Sequence, residues 1–417
     1  MPAYAVLSKK PLQPEGAFCI RDIYLCNSLL SICMETYTVV SPELSQVPAA
    51  VTKPKYAYIT SLRGLAILGV MLVHVSQFGA QVQFLRPLQV ALLANGARGV
   101  QLFFVASALT LYLSMSNRRG EEKNPKINFF LRRFFRIAPL YYLGILYYGA
   151  IVPVHDGLLF SPAEYVSNLL FLNWLSPYYI NHLVPGGWSI AVEFAFYAML
   201  PWLFPLVRNL NQAVKFLVFT LLFNTFITYV LRHVQLATDT TKWVEFLFYY
   251  FPSQLPVFAT GIVLYFLILT KQRYLSARTL LLGAFVVLCS FSTDTSIEVE
   301  TGLPYLPKHF FFAIGFLLLA WSLSIKQFWL LVNPVTHLIG RLSFSLYLGH
   351  FTVLYFMDKY HVIDPLPPTG HISALLNLSI RFLVVLFFSL GLAWILERCI
   401  EIPGQKLGQR VIAYLEK

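Results

Sequence analysis

The sequence predicts an all-α, polytopic membrane protein of about ten transmembrane helices with both termini in the cytoplasm, and three observations lead there. The first is composition. Of 417 residues, 57% are hydrophobic and 12% charged, about half the charged share of a soluble domain, and the mean hydropathy is +0.65. A surface so poor in charge faces lipid. The second is the recurrence of continuously apolar runs near the length of about 20 residues that crosses a hydrocarbon core as helix. Barrel strands would alternate apolar and polar positions instead. The third is the placement of the cations that give the chain its net charge of +12.

In order, the spans are read at 58–78, 100–115, 137–154, 188–207, 214–231, 244–270, 279–291, 309–325, 335–356 and 374–396. Lys53 and Lys55 precede the first, and a loop rich in Arg and Lys separates the second from the third. Gly186 and Gly187 open the fourth, Pro252 and Pro256 interrupt the sixth, and the seventh and eighth are among the shortest. With a cytoplasmic N-terminus, only Arg86, Arg98, Arg232, Lys242, Lys308 and Lys359 fall on the far side. Arg63, Arg341 and Arg381 lie inside spans, and every other one of the 31 Lys and Arg is cytoplasmic, as the positive-inside rule requires. The basic excess thus reads as topology rather than nucleic-acid binding.

Residues 1–55 stand outside this pattern and are expected to be a poorly ordered extension, followed by the membrane domain at 56–405 and a cytoplasmic tail at 406–417. Cys19, Cys26 and Cys33 recur every seven residues, but three thiols without a His or a fourth Cys do not make a zinc site, so no metal is expected. Lys9 and Lys10 lack a following apolar region, so no secretory leader is expected. Cys289 and Cys399 are too scattered for a disulfide framework.

Charge inside the membrane carries the chemistry. A cation in a helix core costs a few kcal/mol or more and is a functional candidate by default. Ten residues separate Arg63 from His74. Eleven steps of an α-helix return to within about 20° of the same face and rise about 16.5 Å, placing Arg63 near one mouth and His74 deep on one line. A snorkelling Arg63 with a hydrogen-bonded His74 is the plainer alternative. The basic loop ends Arg132-Arg133-Phe134-Phe135-Arg136; Arg133 and Arg136 share a helix face where guanidinium forks can hold phosphates. Such a loop can also serve orientation alone.

These residues resemble the bacterial transmembrane acyltransferase family three, whose members modify surface polysaccharides. Arg63 and His74 match its R-x10-H signature. Gly99-Val100-Gln101-Leu102-Phe103-Phe104-Val105-Ala106-Ser107-Ala108 is similar to its G-V-D-x-F-F-V-x-S-G stretch, and Arg133-Phe134-Phe135-Arg136-Ile137-Ala138-Pro139-Leu140-Tyr141 to its R-x-x-R-I-x-P-x-Y. Trp188-Ser189-Ile190-Ala191-Val192-Glu193-Phe194-Ala195-Phe196-Tyr197 resembles its W-S-x-x-x-E-x-x-F-Y helix, and Ser343-Phe344-Ser345-Leu346-Tyr347-Leu348-Gly349-His350 its S-Y-S-L-Y-L-x-H segment. The motifs run in family order over about residues 56 to 405. Gln101 and Ala108 depart from the pattern, standing where many members have Asp and Gly.

The resemblance implies an O-acyltransferase of the inner membrane. Its donor is acyl-CoA, commonly acetyl-CoA, entering from the cytoplasm as co-substrate, with no permanently bound cofactor. The acceptor is a hydroxyl, of a glycan for instance, on the far side. Arg63, Arg132, Arg133 and Arg136 are expected to meet the donor phosphates. His74 suits a general base, since its ordinary pKa lies near neutrality. Glu193, the one acid placed within a span, is expected to orient it. Ser107, Trp188, Ser189, Tyr347 and His350 are expected along the substrate path. Direct transfer and an acyl-enzyme relay both remain open. No G-x-S-x-G nucleophile motif is present, so the membrane portion is expected to finish the reaction or pass its product on. The other classes are a secondary transporter, which would carry an internal repeat that this chain lacks, and a non-catalytic sensor or scaffold.

Overall fold

The computed structural model describes residues 56–77, 85–118, 120, 122–151, 159–234, 236–270, 275–292, 307–360, 364–367 and 369–417. The expected N-terminal extension and its three cysteines lie outside them. All regular structure among the described residues is helical. The chain forms α1 (Ala57–Gln77), α2 (Pro87–Ala94), α3 (Gly99–Asn117), α4 (Pro125–Leu146), α5 (Pro162–Leu169), α6 (Gly187–Leu203), α7 (Leu210–Val234) and α8 (Thr240–Tyr249). It continues with α9 (Phe251–Leu269), α10 (Ala277–Ser292), α11 (Lys308–Ile325), α12 (Pro334–Arg341), α13 (Ser343–Lys359), α14 (His371–Leu396) and α15 (Ile402–Leu415).

Helix starts follow local chemistry. Proline occupies the first turn of α2, α4, α5, α9, α12 and α15, where its missing N–H costs nothing. Ser161, Asp239 and Asn333 cap α5, α8 and α12 by accepting backbone N–H bonds.

Among the described residues, six helical segments are long and apolar enough to cross a membrane: Ala57–Gln77, Pro87–Asn117, Leu210–Val234, Thr240–Leu269, Lys308–Ile325 and His371–Leu415. The described residues of the ten spans read from the sequence all fall largely on helix, but two spans are not single helices. The sixth breaks at Tyr250, whose ψ of 154° is extended. Pro252 cannot bond the carbonyl of Phe248 four residues back, and the Gln254 side chain does so instead at 2.7 Å. The ninth breaks at Leu342 into α12 and α13.

Helix α1 runs through the middle, touching α3, α11, α12, α13 and α14. Small residues let it do so. Gly64 packs on the Thr336 carbonyl and Gly340 on the Thr60 carbonyl, with no room for a side chain at either. Helix α7 is peripheral, with Phe219, Leu222 and Phe226 turned outward. The residues expected as a tail form most of α15, which lies on α4 through Gly404 and Gly408 against Pro139 and Phe135. Glu416 then reaches the start of α4, accepting bonds from the Lys123 and Asn124 amides and from Asn128 Nδ2.

Candidate active site

Two cavities follow α1. The first, with about 80 Å³ of room, is lined by Arg63 of α1, Ser107 of α3, Arg133 and Arg136 of α4, and Ser189, Glu193 and Tyr197 of α6. The second, with about 640 Å³, is lined by His74, Gln77, Arg98, Asn181, Glu245 and a wall of aromatic rings that includes Trp188, Phe248, Tyr249 and Phe351. Val100 and Tyr347 line both and form the neck between them.

The Arg63 side chain is held by Thr110 Oγ1 at 3.3 Å, and Thr110 in turn bonds the Ala106 carbonyl at 2.6 Å. Arg133 lies over the Phe129 ring, 5.8 Å from its centroid, and its Nε is buried without a hydrogen-bond partner. Three guanidinium groups thus converge on a narrow space that contains one carboxylate, Glu193. Ser107 donates to Glu193, and the Tyr197 hydroxyl is also hydrogen-bonded to it. The chamber keeps a positive excess that suits a polyanion.

At the neck, the Tyr347 hydroxyl donates to the Gly186 carbonyl at 3.0 Å and lies 2.9 Å from Ser189 Oγ. Gly186 adopts φ +75°, which a glycine does without steric cost.

His74 sits in the wall of the larger cavity. Its Nδ1 is 3.0 Å from Nε2 of His350, and Phe351 packs on both rings with centroids 4.5 Å and 4.1 Å away. His350 is fully buried behind His74, and its Nδ1 bonds the Leu346 carbonyl at 2.9 Å.

The residues expected from the sequence divide as follows. Arg63, Arg133, Arg136, Ser107, Ser189, Glu193 and Tyr347 share the first chamber; His74, Trp188 and again Tyr347 share the second. Four expectations are corrected. Arg132 forms a two-pronged ion pair with Glu122 at 2.6 and 3.3 Å instead of lining the chamber, because it lies about 100° around α4 from Arg133. Glu193 does not hold His74; that place belongs to His350, which was expected along the substrate path but lines neither chamber. Nor is Glu193 the one acid within a span or in the bundle: Glu245 falls in the sixth span, and Glu164, Glu397 and Glu401 are more deeply buried, with Glu397 paired to Arg341 at 3.5 Å and Asp364 to Arg381 at 3.3 Å.

Gln101 also finds its explanation. It is buried in neither chamber wall and donates to Gln254 Oε1 at 3.0 Å; Gln254 serves the carbonyl freed by Pro252. The residue is a strut for the α8–α9 break. Sequence reasoning left out Tyr197, although it lies four residues from Glu193 on one helix face. Arg98 gave no signal, since it lies outside the expected spans, and Glu245, at the very start of the sixth, was passed over.

Comparison with known proteins gives the family. The acyltransferase domain family matches residues 56–398. Acyltransferase MdmB of Streptomyces mycarofaciens is 33% identical over 170 residues, 36% of this chain and 40% of that one. O-acetyltransferase OatA of Staphylococcus aureus (strain NCTC 8325 / PS 47) is 25% identical over 395 residues, 86% of this chain and 58% of that one. The chain therefore covers less than two thirds of the length of either relative. No solved structure matches it. A family match that takes in both chambers, every helix that lines them and the Arg63-to-His74 spacing establishes that this chain belongs to the acyltransferase domain family.

Proposed function

We propose that the protein is a membrane O-acetyltransferase that takes an acetyl group from acetyl-CoA on the cytoplasmic side and gives it to a hydroxyl of a carbohydrate or glycan on the far side of the inner membrane. In this reading the chain crosses about ten times with both termini in the cytoplasm, as the cation placement favours. The observation that carries the proposal is the junction of two chemically different chambers along one helix: three guanidinium groups at one end, an imidazole at the other, and a neck between.

Arg63, Arg133 and Arg136 take the donor phosphates, and the unpartnered Nε of Arg133 supplies a ready donor to them. The rise of about 16.5 Å from Arg63 to His74 suits the thin pantetheine arm, which passes the Val100–Tyr347 neck and brings the thioester to His74. The acceptor lies against the aromatic wall of the larger chamber. Its hydroxyl oxygen attacks the thioester carbonyl as His74 removes the proton; the new C–O bond forms, the C–S bond breaks, and the proton follows to the departing thiolate. The name of OatA as an O-acetyltransferase supports the choice of acetyl.

The test uses the full chain in detergent or nanodiscs, radiolabelled acetyl-CoA, and the glycan fraction of the producing cells. Label is expected to enter the glycan with wild type and not with H74A. An intact donor, or equal transfer by H74A and wild type, overturns the reading in favour of transport or scaffolding.

A further inference from the structure

We propose that His350 is the positioning residue of the site: it fixes His74 as the Nδ1–H tautomer and so leaves Nε2 of His74 as the free base facing the acceptor chamber. The inference rests on the proposed role of His74 and deepens it.

The assignment follows from a chain of three groups. A backbone carbonyl only accepts, so the 2.9 Å contact between His350 Nδ1 and the Leu346 oxygen puts the proton on that nitrogen. A neutral imidazole carries one N–H, so Nε2 of His350 is an acceptor. The ring is fully buried, and its hydrogen-bond partners, the Leu346 and Tyr347 backbone and His74, offer no countercharge, so it is neutral. The hydrogen between Nε2 and His74 Nδ1, 3.0 Å apart, therefore belongs to His74, and the lone pair of His74 sits on Nε2. Phe351, packed on both rings, prevents either from turning over.

In the reaction the acceptor proton moves to His74 Nε2 as the oxygen bonds the carbonyl carbon. The Nδ1–H stays between the rings, and the His350 lone pair stabilises the cation that forms. No carboxylate takes part. The arrangement performs with a second imidazole and a carbonyl dipole what an Asp does for a catalytic histidine elsewhere. Other titratable or charged groups face the same chamber: Tyr347 from α13, Arg98 from the turn before α3, and Glu245 and Tyr249 from α8.

Two measurements on the full chain in nanodiscs test this. The first reads the tautomer directly from [15N]histidine spectra, with His74 assigned by its loss in H74N. Wild type and H350Q, whose Oε1 accepts the same bond, are expected to give Nδ1–H, and H350L to shift toward Nε2–H. The second reads transfer from labelled acetyl-CoA to the glycan fraction. H350L is expected to lower kcat by about 100-fold or more with the KM for acetyl-CoA changed by less than about 2-fold, since His350 is remote from the Arg chamber. H350Q is expected to recover at least about 10-fold of that loss. An Nε2–H tautomer at His74 in wild type overturns the proposal without any variant having to fold. So does wild-type kcat in H350L while H74A is inactive. An H74A as active as wild type would instead remove the role of His74 itself.

Discussion

Replacing Gly186 by Ala tests the neck between the chambers. The backbone there has φ +75°, a left-handed conformation that costs a residue with a Cβ about 1–2 kcal/mol. The new methyl would stand 2.7 Å from the Tyr347 hydroxyl, 3.0 Å from Cζ and 3.1 Å from Cε1. Optimal separation is about 3.5–4.0 Å, so the ring must withdraw by roughly 0.5–1 Å. That withdrawal breaks the bond from Tyr347 to the Gly186 carbonyl and loosens the contact with Ser189, at about 0.5–1.5 kcal/mol for each bond. G186A is therefore expected to destabilise the protein by about 2–4 kcal/mol and to slow transfer, because the displaced ring belongs to both chambers. Thermal unfolding in detergent and turnover of labelled acetyl-CoA read the two effects. Y347F separates the contributions, since it removes the colliding hydroxyl and deletes the same hydrogen bond. The double variant is expected to cost about 0.5–1 kcal/mol less than the two single changes together. Strict additivity, or wild-type stability in G186A, would refute the reasoning.

Three further changes probe other parts of the molecule. R133Q and R136Q are each expected to raise the KM for acetyl-CoA by roughly 10-fold or more, the worth of a charge-assisted bond to phosphate. R132Q, whose guanidinium is held by Glu122, should stay within about 2-fold; equal effects at all three would show that the chamber does not select. Q101L leaves Gln254 Oε1 buried without its donor and is expected to cost about 1–3 kcal/mol in thermal stability with little change in KM, whereas a lost KM would move Gln101 into the donor site. Glu416 is held below the ordinary carboxylate value by hydrogen bonds from the Lys123 and Asn124 amides and the Asn128 side chain. A depressed carboxylate stabilises above its unfolded pKa and loses that contribution as pH falls through the folded one. Protection of the amides over residues 123–128, taken relative to their intrinsic exchange rates, is thus expected to fall as the pH is lowered through the depressed carboxylate pKa in wild type and to be low already at neutral pH in E416A; identical profiles would exclude the cap.

Much of this molecule was legible in its sequence, and the failures share a cause. Apolar runs located the helices because lipid sets both their length and their composition. The same runs hid the breaks at Tyr250 and Leu342, since hydropathy does not record where a proline strips a carbonyl of its partner. The R-x10-H spacing placed Arg63 and His74 at the two chambers because both lie on one helix, where periodicity acts. The turn of about 100° per residue also sets Arg132 apart from Arg133 and Arg136, although the sequence reading groups all three. The partner of His74 is a different matter. His350 is 276 positions away, and only the packing of α13 on α1 brings them together. A carboxylate was the natural expectation for a histidine's support, and Glu193 was the acid in view; Ser107 and Tyr197 hold it in the other chamber instead.

The narrowness of the Tyr347 neck bears on a problem other than catalysis. Two water-accessible chambers laid end to end through a lipid-facing bundle would short-circuit the ion gradients on which a cell runs. A phenol ring held by two hydrogen bonds, with Val100 beside it, stands where the two linings meet. In the proposed reaction the ring that the pantetheine arm passes would also serve as electrical insulation of the membrane. Variants that widen it are then expected to burden the cell through leakage even where no acetyl group is transferred.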